Sequence, residues 1–218
     1  MNPLVAFYQA VVKHKSPPVA MRLLPLFIAG LAFGLAACGP NAFLGVAVTD
    51  NVTLKALSYD PATGGLLKAT PGGIFRRAKD AEVWQPLSLR GPIPLGGLSD
   101  VAVSWNDPQT ILASGNGAGV YKTTDGGRTW TPSNTGLPDR RVSSVATHTQ
   151  LPATAYVFLE GQGVYKTEDG ASSWKRMDAG PPTRSVGQLV HSSLPGSMNT
   201  GWLYAATPDG LYLSMDCF

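Results

Sequence analysis

A glycine–tryptophan frame that recurs along the chain limits what this sequence can fold into. Four copies begin with a glycine followed by a short run rich in β-branched, leucine and aromatic residues: GIFR, GVYK, GVYK and GLYL. Their first residues are Gly73, Gly119, Gly163 and Gly210, which are 46, 44 and 47 residues apart. In the three complete copies a tryptophan follows 11 residues after the glycine, and these tryptophans are Trp84, Trp130 and Trp174. Spacing this regular indicates a repeat architecture.

Each period has room for four short strands. In the third copy we predict strands at residues 142–149 and 155–161, then in VYKTE after the turn at Gln162, and last in SWKRM. The second copy repeats this order with DVAVSW, ILASGN, VYKTT and TWTPS. A low charged fraction of 14%, with 25 glycines and 18 prolines, also suits short strands joined by tight turns. The sequence therefore predicts an all-β protein, a β-propeller of four-stranded antiparallel blades with about four blades present.

The loop inside the frame carries a recognisable motif. The second copy has Thr123, Asp125, Gly127 and Trp130 in the pattern T-x-D-x-G-x-x-W. This pattern resembles the Asp-box, or BNR, motif of sialidases, xyloglucan-degrading endoglucanases, sortilin-type receptors and photosystem II assembly factors. The third copy matches through Thr167, Asp169 and Trp174, with Ala171 in place of the glycine.

The other two copies depart from the motif. The first keeps Trp84 but has Lys79 at the aspartate position and Ala81 at the glycine position. The fourth begins the motif with Ser214 and Asp216 and reaches the end of the sequence before a tryptophan. We expect either a piece of a longer propeller or closure by residues 43–49 as the missing outer strand.

We expect the motif residues to be structural. Asp125 can accept hydrogen bonds from the backbone N–H groups of its own turn, and Gly127 can adopt a positive φ. Trp130 offers a large apolar face that can pack over the turn or against the next blade. The resemblance implies the same, because these residues lie away from the catalytic centre in Asp-box families. One carboxylate per loop cannot supply the six to eight oxygens of a calcium site, so no metal is predicted.

The blade-to-blade connections carry arginines that we predict to lie on the opposite face. These candidate binding residues are Arg90, Arg140, Arg141 and Arg184. Guanidinium groups there could bind carboxylates, although solubilising arginines on loops are the simpler interpretation. The resemblance implies two uses: sialidases hold a substrate carboxylate with three arginines, and photosystem assembly factors recognise protein through an arginine-rich patch.

No catalytic residue is predicted. A glycosidase needs two facing carboxyl groups, and only Asp139 and Glu160 are expected near the arginines. The Arg-Ile-Pro start of sialidases is absent from the sequence. The three histidines are scattered, and the sequence contains no metal-ligand spacing, nucleophile elbow or phosphate-binding loop that would imply a cofactor.

The N-terminus predicts export. Met21 and Arg22 precede an apolar run at residues 23–37, and Leu35-Ala36-Ala37-Cys38 resembles the bacterial lipobox. The resemblance implies cleavage before Cys38 and lipid on that cysteine; an uncleaved anchor is the alternative. Gly39 resembles lipoproteins destined for the outer membrane. We expect a lipid-anchored cell-envelope protein facing the periplasm or exterior.

The charge balance disfavours a nucleic-acid partner, and none is predicted. The formal charge is +3, but three of the 17 basic residues and none of the 14 acidic ones precede Cys38, so the remaining domain is balanced. We divide the chain into an N-terminal extension and signal peptide (1–37), a lipidated linker with a candidate closing strand (38–56) and the blades (57–218). The predicted function is a non-catalytic interaction or assembly platform for a protein, or for a carbohydrate; the alternative is a sialidase-like or xyloglucanase-like glycoside hydrolase.

Overall fold

A computed structural model describes residues 53–87, 97–177, 180–194 and 201–215. The chain divides into two units, 1–48 and 49–218, and every described residue belongs to the second. The described residues contain no helix that is long and apolar enough to cross a membrane. The predicted signal peptide, Cys38 and the candidate closing strand at 43–49 lie outside the described residues.

The described part of the second unit is built from short β-strands. In chain order they are β1 (Ala56–Asp60), β2 (Gly65–Thr70), β3 (Gly73–Arg77), β4 (Gln85–Pro86), β5 (Leu98–Val103), β6 (Ile111–Gly115), β7 (Gly119–Thr123), β8 (Thr131–Pro132), β9 (Val142–Thr147), β10 (Ala155–Leu159), β11 (Gly163–Thr167), β12 (Lys175–Arg176), β13 (Gln188–Ser192), β14 (Trp202–Thr207) and β15 (Gly210–Met215). The predicted strands are confirmed, and β1 begins one residue before the predicted boundary of the blades.

The strands form four antiparallel sheets in which spatial order follows chain order. We name them blade 1 (β1–β4), blade 2 (β5–β8), blade 3 (β9–β12) and blade 4 (β13–β15). In blades 1 to 3 the fourth strand is only two residues long, as where Lys175 pairs with Lys166 and Arg176 pairs with Tyr165. In the described part of blade 4, β15 pairs with β14 alone.

Three apolar cores hold neighbouring blades together. The first joins blades 1 and 2 through residues such as Leu67 and Ile111. The second joins blades 2 and 3, with Leu112 and Val157 among its members, and the third joins blades 3 and 4. The second strands of blades 2 and 3 are buried at every position, which explains their predominantly apolar sequences. The fold is thus an all-β propeller, as the repeat predicted.

Candidate functional site

The motif loop of blade 2 (residues 123–130) is closed by its own aspartate. Asp125 accepts hydrogen bonds from the backbone N–H groups of Arg128 and Thr129, both at 2.9 Å. It also accepts from the hydroxyls of Thr123 at 2.7 Å and Thr129 at 2.5 Å. The Thr123 hydroxyl oxygen in turn accepts from the Gly127 N–H at 3.0 Å. All the acceptor capacity of this carboxylate is therefore directed into its own turn.

The motif loop of blade 3 (residues 167–174) has the same geometry. Asp169 accepts from the backbone N–H groups of Ser172 and Ser173 at 2.9 Å, and from the Ser173 hydroxyl at 2.6 Å. Hydrogen bonds from the Thr129 and Ser173 side chains lead the causes that hold the pKa of Asp125 and of Asp169 far below the usual range. Both carboxylates stay ionised, so neither can act as a general acid.

The alanine that replaces the motif glycine in blade 3 has a local explanation. Gly127 has φ 94° and Ala171 has φ 66°, so both occupy the left-handed region. A Cβ added at Gly127 would come within 2.6 Å of Leu87 Cδ1. The residue that corresponds to Leu87 one blade later is Ser133, whose hydroxyl donates to the Ala171 carbonyl. The smaller Ser133 leaves room for the methyl group of Ala171.

The tryptophans of the two complete motif copies, Trp130 and Trp174, pack against the preceding blade. The sequence had predicted packing over the turn or against the next blade. Trp130 is 3% exposed in the core between blades 1 and 2. Trp174 is 2% exposed, and its indole N–H donates to the Ser133 carbonyl of blade 2 at 2.9 Å. Trp130 also donates to the Gly127 carbonyl of its own turn at 3.1 Å. Trp84, in blade 1, is half-buried and is covered by Lys68 Nζ at 4.7 Å.

Backbone hydrogen bonds divide the loops between two faces. On one face, the motif loops bond the turns between first and second strands: Gly126 N–H donates to Gln109, and Gly170 N–H donates to Ala153. On the other face, turns between second and third strands bond the blade connections. We call this second side the arginine face, after the connections at residues 139–141 and 184.

The arginine face brings together Arg140, Arg141 and Arg184. The Arg140 carbonyl accepts from the Gly117 and Gly119 N–H groups, and the Arg184 carbonyl accepts from Gly161 N–H. All three side chains are exposed. Arg141 is paired with Asp139, its Nη2 lying 2.6 Å from Oδ2, whereas Arg140 and Arg184 form no ion pair with another described residue. Arg90 and Asp216 lie outside the described residues.

The two acids predicted near the arginines both lie near Arg141. The hydrogen bond from the Arg141 side chain, with one from the Arg140 N–H, lowers the pKa of Asp139. Asp139 and Glu160 both act on Arg141 and raise its pKa. One of these acids is thus held ionised by an arginine, which is unsuited to protonating a leaving group.

A buried polar network, which the sequence reasoning missed, joins three blades at their first strands. Asp100, 1% exposed, accepts from the Ser144 hydroxyl at 2.6 Å, from Val145 N–H at 3.0 Å and from Gln188 Nε2 at 3.1 Å. Burial raises the pKa of Asp100 to about 6, partly offset by these hydrogen bonds. The only signal in the sequence was that Asp100, Ser144 and Gln188 occupy the same position in successive repeats, each 44 residues after the one before.

The histidines are less scattered than the sequence suggested. His148 and His191 are both buried, and their rings stack with centroids 3.8 Å apart. His148 Nδ1 accepts from Gln150 and Leu151 N–H groups, and His191 Nδ1 accepts from Thr149 N–H. Among the described residues no group of three or more histidine, cysteine or acidic side chains could hold a metal ion. The pair is therefore part of the packing between blades 3 and 4.

Comparison with protein-family models gave no match, and comparison with curated proteins gave none. Among solved structures, a GH74 enzyme from Niastella koreensis is similar, with TM-score 0.52 and 21% identity over 72% of this chain and 26% of that one. An ancestral GH74 enzyme has TM-score 0.55 and 17% identity, over 74% and 22% of the two chains. A chain of the nidogen–laminin complex has TM-score 0.56 and 13% identity, over 71% and 57%.

These similarities concern the fold alone. The chain spans about a quarter of the length of the GH74 enzymes it resembles and about half of the chain from the nidogen–laminin complex. The class defined by the structure is therefore that of β-propellers, and blades 2 and 3 of this one carry a structural aspartate turn. No reaction follows from membership of that class.

Proposed function

We propose that this protein is an exported, lipid-anchored β-propeller that binds another protein through the arginine face and catalyses no reaction. The observation that carries the proposal is the pair Arg140 and Arg184. Both side chains are exposed and free of ion pairs with described residues, while their carbonyls are fixed by neighbouring turns. Cationic groups on an immobilised backbone favour a carboxylate-bearing surface, because less conformational entropy is lost on binding.

The similarity to a chain of the nidogen–laminin complex supports a protein partner, since that propeller-like chain was solved in a complex of two proteins. The similarity to GH74 enzymes keeps a carbohydrate partner as the second candidate. One observation favours a glycoside hydrolase: Asp100 has a pKa of about 6, in the range of a general acid. Its 1% exposure and its four hydrogen bonds within the wall of the blades oppose that role.

The proposal is tested with a short fluorescein-labelled oligoglutamate peptide, whose affinity is measured by fluorescence anisotropy. We expect the double variant Arg140→Ala/Arg184→Ala to bind roughly tenfold more weakly at low salt. Arg128→Ala is the matched control, because Arg128 is an exposed arginine on the face of the motif loops. Equal affinity of the double variant and the wild type would overturn the assignment of this face.

Catalysis is tested with fluorogenic sialosides and β-glucans. We expect no turnover by the wild-type protein. Turnover that disappears in Asp100→Asn or Glu160→Gln would establish a hydrolase and end the platform proposal.

Export and anchoring are supported by residues 21–38 of the sequence. If Cys38 carries the lipid, Cys38→Ser moves the protein from the membrane fraction to the soluble fraction of cells that express it. Blotting both fractions measures the shift. Unchanged partitioning of the variant would rule out an anchor at that cysteine.

A further inference from the structure

One side of the blade 1 sheet packs on blade 2, and the other side carries a mixture of aliphatic, aromatic and cationic side chains. Leu67 and Ile74 lie in the core shared with blade 2. Side chains alternate across a strand, so the residues next to these two lie on the opposite side of the sheet. We call that side the outer face of blade 1, and its members are Leu57, Tyr59, Lys68, Phe75, Arg77 and Trp84.

The outer face has cations at positions that are buried in the other blades. Lys68 pairs across the sheet with Phe75. Each residue that corresponds to Lys68 is apolar and lies in the core shared with the preceding blade; these residues are Ala113, Val157 and Ala205. Arg77 corresponds to the motif threonines Thr123 and Thr167, which are both buried. A blade packed here as the others pack would remove both charges from water, which is costly unless each is paired. The residue types therefore favour a partner that leaves the charges hydrated.

Large apolar side chains on the same face are exposed. Leu57 is 51% exposed and Tyr59 is 56% exposed, whereas the corresponding Val101 and Val103 of blade 2 are each 2% exposed. Leu57 pairs directly with Lys68, so apolar and charged groups are neighbours on this face. An exposed apolar patch bordered by polar groups marks a site of protein or membrane binding.

The two cations are held over aromatic rings. Lys68 Nζ lies 4.7 Å from the centre of the Trp84 ring and 5.2 Å from that of Phe75, and Arg77 Cζ lies 5.3 Å from the centre of the Trp84 ring. Neither cation forms an ion pair with another described residue. Stacking on the rings restricts both side chains, so less conformational entropy is lost when they bind an anion. The outer face thus presents two positioned positive charges beside exposed apolar groups.

This combination matches the headgroup region of an anionic bilayer. Lysine and arginine near a membrane surface are attracted by acidic phospholipids, while tyrosine and tryptophan favour the boundary between headgroups and hydrocarbon. Leu57 adds an aliphatic group that can insert at that boundary. A protein surface with acidic and apolar groups would match the same face, but only the membrane is brought to it by the chain itself.

The position of Cys38 provides this tether. Thr53, the first described residue, follows Cys38 by 15 positions, and β1 begins at Ala56. A chain of that length spans at most about 50 Å when fully extended. Lipid on Cys38, or an uncleaved anchor at residues 23–37, therefore holds blade 1 close to lipid headgroups and raises their effective concentration at the outer face. This step rests on the anchoring proposed above and does not involve the arginine face.

We propose that the outer face of blade 1 binds the surface of the anionic membrane to which the protein is anchored. The Lys68 ammonium and the Arg77 guanidinium bind lipid phosphates, and Leu57 and Tyr59 insert among the headgroups. Docking fixes the orientation of blade 1 on the bilayer.

Quenching of tryptophan fluorescence by brominated lipid tests the contact, because Trp84 belongs to the outer face. The full 218-residue chain is reconstituted into vesicles of phosphatidylcholine with about 30% phosphatidylglycerol, in which brominated phosphatidylcholine is the quencher. We expect quenching of the wild type and loss of this quenching in Trp84→Phe. Trp174→Phe is the matched control, because Trp174 has the same repeat position but is buried between blades 2 and 3. We expect this control to be quenched as the wild type is.

The role of the two cations is tested by neutralising them. Lys68→Gln/Arg77→Gln should lose the quenching, whereas Lys175→Gln/Arg176→Gln, which removes two exposed cations from blade 3, should keep it. Wild-type protein in vesicles of phosphatidylcholine alone should also lose most of the quenching, because the attraction by acidic lipids is absent. This last comparison uses no variant, so it holds even where a substitution disturbs the fold.

Three results would overturn the proposal. They are wild-type fluorescence that brominated lipid leaves unchanged, equal quenching of the wild type and Trp84→Phe, and equal quenching in charged and uncharged vesicles. Binding of a labelled oligoglutamate peptide that weakens in Lys68→Gln/Arg77→Gln, without quenching by lipid, would assign the face to an acidic protein and would also overturn it.

The anchor is judged separately, by the partitioning of Cys38→Ser. Release of that variant from membranes, together with an unquenched wild type, would leave the anchor intact and reject the docking of blade 1. Quenching of Trp84 with unchanged partitioning of Cys38→Ser would support the docking and reject the lipid on that cysteine.

Discussion

A single side chain in one blade determines which residue the next blade can place at the motif glycine. Leu87 lies beside Gly127, and the corresponding Ser133 lies beside Ala171. The positive φ of Ala171 costs about 1–2 kcal/mol, and burial of its methyl group recovers about half of that. The departure from the motif in blade 3 is thus explained by the neighbouring blade and not by a different turn.

Gly127→Ala should destabilise the protein by about 1–3 kcal/mol, because the new methyl group meets Leu87 and the left-handed φ becomes strained. In a Leu87→Ser background the same substitution should cost less. Urea denaturation of the four proteins of this double-mutant cycle measures the coupling. If the effects of the two substitutions on the free energy of unfolding are additive, the proposed contact between residue 127 and Leu87 is contradicted. Ala171→Gly is the matched control, and we expect its stability to lie within about 1 kcal/mol of wild type.

At the scale of the element, the tryptophan before the short fourth strand can stabilise two blades at once, because it contacts both its own blade and the preceding one. Trp174 follows the motif loop of blade 3, yet its indole is hydrogen-bonded to blade 2 and buried in the core between them. Trp84 has the same place in blade 1 but is only half-buried, under Lys68 and Arg77. The two tryptophans share a sequence position and differ in surroundings.

Trp174→Ala should therefore lower the free energy of unfolding by about 3–5 kcal/mol, as expected for loss of a buried aromatic residue. Trp84→Ala should cost roughly 1–2 kcal/mol, because less of its surface is removed from water. Guanidinium titrations followed by circular dichroism compare both variants with the wild type. If the two variants lost equal amounts of unfolding free energy, burial between blades would not determine how much the tryptophan at this position stabilises the protein.

Local sequence patterns predicted the strands and turns well, but they predicted the contacts between blades poorly. Strand order, the motif turns and the two faces followed from turn chemistry and strand alternation, which act over a few residues. The direction in which Trp174 packs did not, because it depends on Ser133 in another blade. The Asp100 network was missed for the same reason: its partners are 44 and 88 residues away in the chain.

At the scale of the whole molecule, Asp100 connects three blades through one carboxylate. Its oxygens accept from its own strand neighbour Val101, from Ser144 and Val145 of blade 3, and from Gln188 of blade 4. The Ser144 hydroxyl oxygen also accepts from the Leu189 N–H at 2.8 Å, which continues the link into blade 4. Removing the charge of Asp100 would therefore change contacts in several blades at once.

The pH dependence of the free energy of unfolding measures how the burial of the Asp100 carboxyl group affects stability. The pKa of Asp100 is about 6 in the folded protein against an ordinary 3.8, with burial as the largest cause. Because the folded state binds this proton more tightly than the unfolded state does, the contribution to stability is fully present below about pH 4 and is lost as pH rises through about 6. The difference between these two pKa values corresponds to about 3 kcal/mol.

We therefore expect the difference in free energy of unfolding between the wild type and Asp100→Asn to fall by about 3 kcal/mol from pH 4 to pH 7.5. The amide does not titrate, so the difference isolates Asp100 from Asp125, Asp169 and Asp139, whose lowered pKa values act in the opposite direction at lower pH. Urea titrations at closely spaced pH values measure it. A difference that stays constant across this range would mean that Asp100 is solvated in the folded protein, and that the three blades are not joined through a desolvated carboxylate.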